Sequence, residues 1–420
     1  MDARVSFSGD PFAVASKFSG EKGLFFLDSS QQGGEGRFSY LGFAPQAIIK
    51  GRNFKSLRRD LHGFVKKSAG KGLAKGGAVG YISYEGAYHF GLYKTVLTFD
   101  HGNKTLSIHA PAQKDCKRIL SIIDGPSTNS SKGRLSTRHI RFKSNFNKTS
   151  YGRAVREALT HIRRGDIYQI NLSRRVELTL AHWRRYTDAL YLYGALRAIS
   201  PSPFAAYYDG GTQIILSSSP ERYLQLQQGI AQIKPMKGTR PRGKDKDEDK
   251  RLKQELRESP KEIAELLMVT DLERNDLGRV CEYGTVKVKD MRVIEEYAHV
   301  FQATATIEGK LHKRFDYIDL IEATFPGGSV TGCPKIEAMK IINTIEAQPR
   351  GLYTGALGYI AVDGSMDFSV LIRSLFLTKD KISFNVGGGI VIDSNPTAEY
   401  QETCIKARAM EKALTETMGG

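Results

Sequence analysis

The stretch GLYTGALGYIAVDGSMDFSVLIRSLFLTKDKISFNVGGGIVID, residues 351–393, decides the fold. It holds three apolar runs, LYTGALGYIAV, FSVLIRSLFLT and ISFNVGGGIVI. Short polar segments separate them, and each reads as a strand. Working outward, IYQINLSRRVEL alternates as a strand does, and so do GGAVGYISYE (76–85) and LFFLDSS (24–30). Helical spacing appears in YGRAVREALTHIRRGD, in residues 246–269, in KIEAMKIINTIE and in TAEYQETCIKARAMEKAL. Strands and helices mix without a regular βαβ rhythm, so an α+β fold is expected rather than a doubly wound sheet. No repeat of fixed period is visible, which argues against solenoids and propellers.

The chain has 420 residues, 40% hydrophobic and 25% charged, the balance of a soluble globular protein. No apolar run is long enough to cross a membrane, and MDARVSFSGDPF lacks the apolar core of a signal peptide. A cytoplasmic protein with no membrane attachment is the expectation. The four cysteines, Cys116, Cys281, Cys333 and Cys404, are scattered and form no CxxC pair, against a zinc site or disulfide framework. The formal net charge is +17. Its basic residues are spread along the chain and are not interleaved with aromatics, so no nucleic-acid partner is expected.

Residues 124–148, DGPSTNSSKGRLSTRHIRFKSNFNK, are rich in Ser, Asn, Gly and basic residues. They read as a flexible connection between an N-terminal region, 1–123, and a catalytic region, 149–420. Asn147-Lys148-Thr149 matches a glycosylation sequon by pattern alone.

Several groups suggest chemistry. Glu262 and Glu265 are three apart on one predicted helix, and Glu399 and Glu402 are three apart on another. Such pairs share a helix face. Two such faces meeting would offer an oxygen-only pocket to a hard cation such as magnesium, although glutamates so spaced commonly sit on a solvated surface. Three glycines, Gly387, Gly388 and Gly389, weaken a strand and expose its N–H groups to an anion; a bulge or tight packing would explain them equally well. FPGGSVTGCPK (325–335) leads into a helix and lacks the GK[ST] of a P-loop. Arg373 lies within apolar sequence, where a charge needs a partner or serves a ligand carboxylate. Lys237, in KPMKGTRPRG, is either a solvated loop charge or a nucleophile. Together these parts suggest a small polyanionic substrate.

DIYQINLSRR, SSSPERYLQ, KPMKGTRPRG, MVTDLERNDLGR, FPGGSVTGCPK, IRSLFL, GGGIV and AEYQETCIKA occur in this order. In this the chain resembles the chorismate-utilising enzymes, strongly from about residue 148 to 412. The N-terminal segments GGAVGYISYE and LFFLDSS resemble the members that form amines. The resemblance implies two antiparallel sheets packed as a sandwich, helices outside and the active site in a cleft. It implies magnesium, with Glu265 and Glu402 as direct ligands and Glu262 and Glu399 in support. It implies that chorismate's carboxylates meet Arg373, Tyr353, the Gly387–Gly389 backbone and the Gly238-Thr239 loop, with His299 and Thr331 lining the site.

Two positions separate the members. Where the isochorismate and salicylate synthases resemble one another in carrying a lysine that activates water, this chain has Gln169, which is no base. Ammonia is then the expected nucleophile. Anthranilate synthases typically carry alanine where this chain has Lys237, and aminodeoxychorismate synthases carry lysine. The resemblance thus implies amination of chorismate at carbon 4, with Lys237 attacking carbon 2 and Glu221 as general acid. The alternative is the anthranilate synthase reaction, amination at carbon 2 followed by loss of pyruvate. No glutaminase signature is present, so a separate glutamine amidotransferase subunit is the expected ammonia source. FLDSS stands where relatives that bind tryptophan carry an LLES-like segment, which leaves tryptophan binding near Asp28-Ser29 open.

Overall fold

The computed structural model describes residues 2–31, 35–65, 72–126, 141–180, 185–297 and 300–418. Among these, the strands form two large sheets, and every pairing is antiparallel. The first sheet has 12 strands and the second has 10. Each mixes strands from both ends of the chain. Phe25–Asp28 pairs with Phe204–Asp209 in the first, and Gly77–Ile82 pairs with Ala356–Ala361 in the second. Phe25, Val79, Tyr93, Tyr208, Leu357 and Phe376 fill the space between the sheets. Helices such as Arg185–Ile199 and Pro396–Met418 cover the outer face of the first sheet. Helices Phe54–Leu61 and Tyr317–Thr324 cover that of the second. This is the expected α+β sandwich with helices outside.

One expected element divides. FSVLIRSLFLT reads as a single strand, yet Met366–Val370 belongs to the second sheet and Ser374–Leu377 to the first. The break falls at Leu371–Arg373, and Arg373 has a left-handed φ of 49°. A β-branched and aromatic run carries no signal for which sheet it enters, so periodicity missed the break. The neighbouring strand pair breaks at the same level. Ile214–Ser219 lies in the first sheet and Arg222–Gln227 in the second, with Glu221 in the gap. Backbone bonds tie the two crossovers together, from Val370 N–H to Glu221 O at 3.1 Å and from Ser218 N–H to Arg373 O at 3.1 Å. The predicted helix over 246–269 also divides, into Lys246–Glu258 and Pro260–Gly278. Ser259 ends the first and caps the second, with Pro260 in the first turn, where its missing N–H costs nothing.

Within the expected connection, residues 127–140 lie outside the described residues. Lys143–Ser144 forms a short strand against Gln169–Thr179. Asn147 caps helix Lys148–Arg164, accepting from Ser150 N–H at 2.9 Å. No helix among the described residues is long and apolar enough to cross a membrane.

Candidate active site

Lys237 lies on strand Met236–Pro241, which pairs with Val300–Lys310. The register slips between Lys237 and Thr239, so Gly238 is an extra residue in a bulge, with φ +76°. A bulge bends its strand and re-aims the side chain beside it. Gly238 is also required by space, since a Cβ there would stand 2.9 Å from Glu262 Oε2. The bulge thus points the lysine inward and lays the loop on the first glutamate pair.

The Lys237 amine donates to Ser329 O at 3.2 Å. Burial lowers its pKa, Glu265 and Glu221 oppose that, and the Lys406 cation adds to the lowering. Both conditions for an amine nucleophile, desolvation and a nearby cation, are present. Glu221 is buried beside it. Burial pushes its carboxyl up to about 7, against the stabilising Ser329 hydroxyl, Lys237 and the Met236 N–H. A carboxylic acid that keeps its proton near neutrality suits general acid work.

The glycine strand Lys381–Ile390 lies opposite. It pairs with Gln169–Thr179 along one edge. Along the other, pairing with Ser374–Leu377 ends at Ser383, so among the described residues no strand covers that edge at the glycines. Each glycine admits a different group. A Cβ on Gly387 would stand 3.0 Å from the Tyr353 hydroxyl, and one on Gly388 would stand 3.2 Å from Glu399 Oε2 and 3.4 Å from Glu402 Oε1. One on Gly389 would stand 2.9 Å from Gln169 Nε2 and 3.6 Å from Lys237 Nζ. Close approach, rather than strand chemistry, explains the triplet. Gly387→Ala would also press on Leu172 O at 2.4 Å, a backbone atom of the paired strand. We expect a loss of about 1–3 kcal/mol, seen as a lower denaturant midpoint at unchanged m-value. An unchanged midpoint would show that the strand yields.

Around this centre, Arg373 at the crossover makes no ion pair among the described residues, and burial lowers its pKa, with Tyr297 opposing. A half-buried guanidinium on left-handed backbone without an ion pair is suited to holding an anion. Gln169 is buried, and its Oε1 has no hydrogen-bond partner. Tyr353 is buried, and burial raises its hydroxyl pKa. Thr331 is buried, but its hydroxyl donates to Gly327 O at 3.0 Å. Thr239 is exposed and accepts from Gln302 Nε2 at 3.5 Å. His299 lies outside the described residues.

The two glutamate pairs are near enough for Glu265 and Glu402 to repel, and Glu399 and Glu402 lie against Gly388. Burial raises Glu265, with Lys237 and Lys261 opposing and Glu262 and Glu402 adding to the rise. Burial also raises Glu399, which accepts from the Ser394 hydroxyl at 2.7 Å, and Glu402 adds to it. Burial acts on Glu402 too, but Lys406 at 2.7 Å outweighs it and holds the carboxyl below its usual range. Among the described residues, no three His, Cys, Asp or Glu side chains are gathered as a metal centre. Lysines neighbour the carboxylates instead, with Lys261 Nζ 3.8 Å from Glu265. Lys406 also donates to Gly387 O at 2.9 Å. Sequence reasoning missed Ser329 and Lys406. The four-residue spacing of Lys406 from Glu402 is a signal that was available. A separate cavity of about 750 Å³, lined in part by Asp28 and Ser29, contains none of the groups above, and Asp28 is paired there with Arg197 at 2.7 Å.

The crossovers and the glycine strand thus bring together an acid and an amine, with a guanidinium on the paired crossover that forms no ion pair among the described residues. Residues 24–412 match the family of chorismate binding enzymes. The chain is 38% identical over 362 residues to anthranilate synthase component 1 of Saccharolobus solfataricus, covering 82% of each chain. It is 32% identical over 426 residues to aminodeoxychorismate synthase component 1 of Bacillus subtilis, covering 90% of this chain and 89% of that one. The solved anthranilate synthase component I of Streptococcus pneumoniae superposes with a TM-score of 0.79 at 28% identity, covering 90% and 93% of the two chains. The chain belongs to the chorismate binding enzymes.

Proposed function

We propose that this enzyme aminates chorismate at carbon 4 to give 4-amino-4-deoxychorismate, the precursor of p-aminobenzoate in folate synthesis. The observation that carries the reading is Lys237, a desolvated amine beside Glu221, whose carboxyl burial pushes up to about 7, and against Gly389. The neutral Lys237 amine bonds to carbon 2 and becomes a secondary ammonium, the ring double bonds shift, and the bond from carbon 4 to its hydroxyl breaks. Glu221 gives its proton to that hydroxyl, which leaves as water. Ammonia then adds at carbon 4, the double bonds shift back, and the bond from carbon 2 to Lys237 breaks. Gln169 supplies no base for water, which favours ammonia. Arg373, Tyr353 and the bare edge at Gly387–Gly389 would bind the carboxylates.

The paired glutamates fit magnesium chemically. Their donors are all oxygen, and Glu265 and Glu399 are each raised in part by a neighbouring carboxylate, a repulsion that a cation would relieve. Glu265 and Glu402 would hold the ion, with Glu262 and Glu399 in support. Bound there, it would supply charge neutralisation for a substrate carboxylate. Relatives named as component 1 support a partner subunit, which we take to be a glutamine amidotransferase supplying ammonia.

The second reading is anthranilate synthase component 1, favoured by the names of several relatives. Mass spectrometry of the product from chorismate, magnesium and an ammonium salt separates the two. We expect aminodeoxychorismate, with its enolpyruvyl group attached, and loss of turnover when a chelator replaces magnesium. Anthranilate with free pyruvate would establish the second reading instead. Turnover untouched by chelator would remove the metal.

A further inference from the structure

One buried carboxyl has no task in the scheme above. Glu273 lies on helix Pro260–Gly278 and is 1% exposed. Its Oε1 accepts from Gly328 N–H at 2.6 Å, while its Oε2 has no hydrogen-bond partner. The charged and titratable groups around it are Asp276 on the same helix, Lys335 at the start of helix Lys335–Glu346, Tyr223 on strand Arg222–Gln227, and Glu221 at the crossover. Lys335 is committed elsewhere, to Asp276 and to Thr324 O at 2.9 Å. Glu273 therefore has no ion-pair partner in contact, and burial pushes its carboxyl up to about 7. An anionic carboxyl so placed is expensive unless it does something specific.

What it holds is the turn Gly328–Val330. Leu272 and Glu273 lie so close to Gly328 that a Cβ there would stand 2.8 Å from Leu272 Cδ2 and 2.9 Å from Glu273 Oε1. The far end of the turn is fixed by Arg350, whose Nη1 donates to Val330 O at 2.9 Å. Between the two anchors sits Ser329. Its carbonyl accepts the Lys237 amine at 3.2 Å, and its hydroxyl bonds to Glu221. Lys237 and Glu221 are thus both bonded to Ser329, and the helix holds the neighbouring Gly328 through one hydrogen bond.

We propose that Glu273 is a positioning residue that, through Gly328, sets Ser329 in register between Lys237 and Glu221. This rests on the reading of those two residues as the working pair. Its charge has a second effect, since Glu273 and Glu221 each disfavour the other's anion. A glutamine would keep an oxygen for Gly328 N–H but remove the charge, so Glu221 would release its proton at lower pH.

The test compares the full-length protein with Glu273→Gln and Glu273→Ala, following chorismate loss with ammonium and magnesium across pH. For Glu273→Ala we expect kcat to fall about 100-fold with KM for chorismate nearly unchanged, the signature of displaced reacting groups. For Glu273→Gln we expect kcat within about fivefold of the parent at its optimum, with the alkaline limb moved to lower pH. The proposal is overturned if Glu273→Ala matches the parent, or if Glu273→Gln falls as far as Glu273→Ala. It is also overturned if the Glu273→Gln pH profile superimposes on that of the parent, and this comparison decides alone should Glu273→Ala not fold. Product mass, measured in the same samples, reports separately on amination at carbon 4: anthranilate from every variant would defeat that reading while leaving the contrast between Gln and Ala intact.

Discussion

Lys237→Ala is expected to abolish formation of any covalent adduct with chorismate and to lower kcat on the order of a thousandfold or more. The amine is desolvated, feels the Lys406 cation, and among the described residues donates to Ser329 O. A solvated loop charge would have none of these features. Its truncation also leaves little strain behind, because Lys237 sits at a bulge where the strand already departs from regular pairing. The fold should survive, and a circular dichroism spectrum of the variant should match the parent. The decisive measurement is intact-protein mass spectrometry during turnover, with ammonia withheld. The parent should gain the mass of chorismate less water, and the variant should gain nothing. A variant that aminates chorismate at the parent's rate would return Lys237 to the role of an electrostatic aid.

The second large effect concerns Glu221. Replacing it with glutamine should lower kcat by about 10²–10⁴-fold, the usual range for a lost general acid. The pH profile is the sharper test. The productive state has a proton on Glu221 and none on Lys237. Glu221 titrates near 7, so above that pH its proton is lost and the rate should fall. Lys237 is lowered from 10.5 but gains a proton in acid, so below its own pKa the amine is no longer a nucleophile and the rate should fall again. The parent should therefore give a bell whose limbs belong to the pair rather than to either residue. Glu221→Gln should flatten the alkaline limb of what activity remains. An unchanged alkaline limb would assign the acid elsewhere.

Much of the fold was legible because it depends on local pattern. Helix Lys148–Arg164 announces its end with a glycine, Gly165, which adopts the left-handed cap that pattern implies. The glycine triplet was legible as ligand approach or tight packing, and the structure shows tight packing, in three separate notches for Tyr353, the carboxylates and Gln169. Arg373 shows the limit. Its charge in an apolar run signalled function, but the run around it is not one strand, because sheet membership is decided by contacts with residues far along the chain. Ser329 was hidden for the same reason, since its part is played largely by a backbone carbonyl, which no residue type reveals. Glu221 entered through motif resemblance and Lys237 as a loop lysine open between solvated charge and nucleophile, and their physical rationale, burial that shifts both groups, exists only in three dimensions.

The paired crossovers carry a consequence for synthesis. Glu221 and Arg373 meet only where two antiparallel strands change sheets side by side, and the carboxylates opposite them arrive later still, on helix Pro396–Met418. Strand Gly77–Ile82 likewise waits for Ala356–Ala361 before it is flanked on both edges. Such pairings are slow to form because long loops must close first. A chain still on the ribosome therefore has no reactive centre to protect or to misfire. Chemistry waits for helix Pro396–Met418 to be made and packed, and the unpaired strand edges of the earlier segments are the hazard that folding must survive in the meantime.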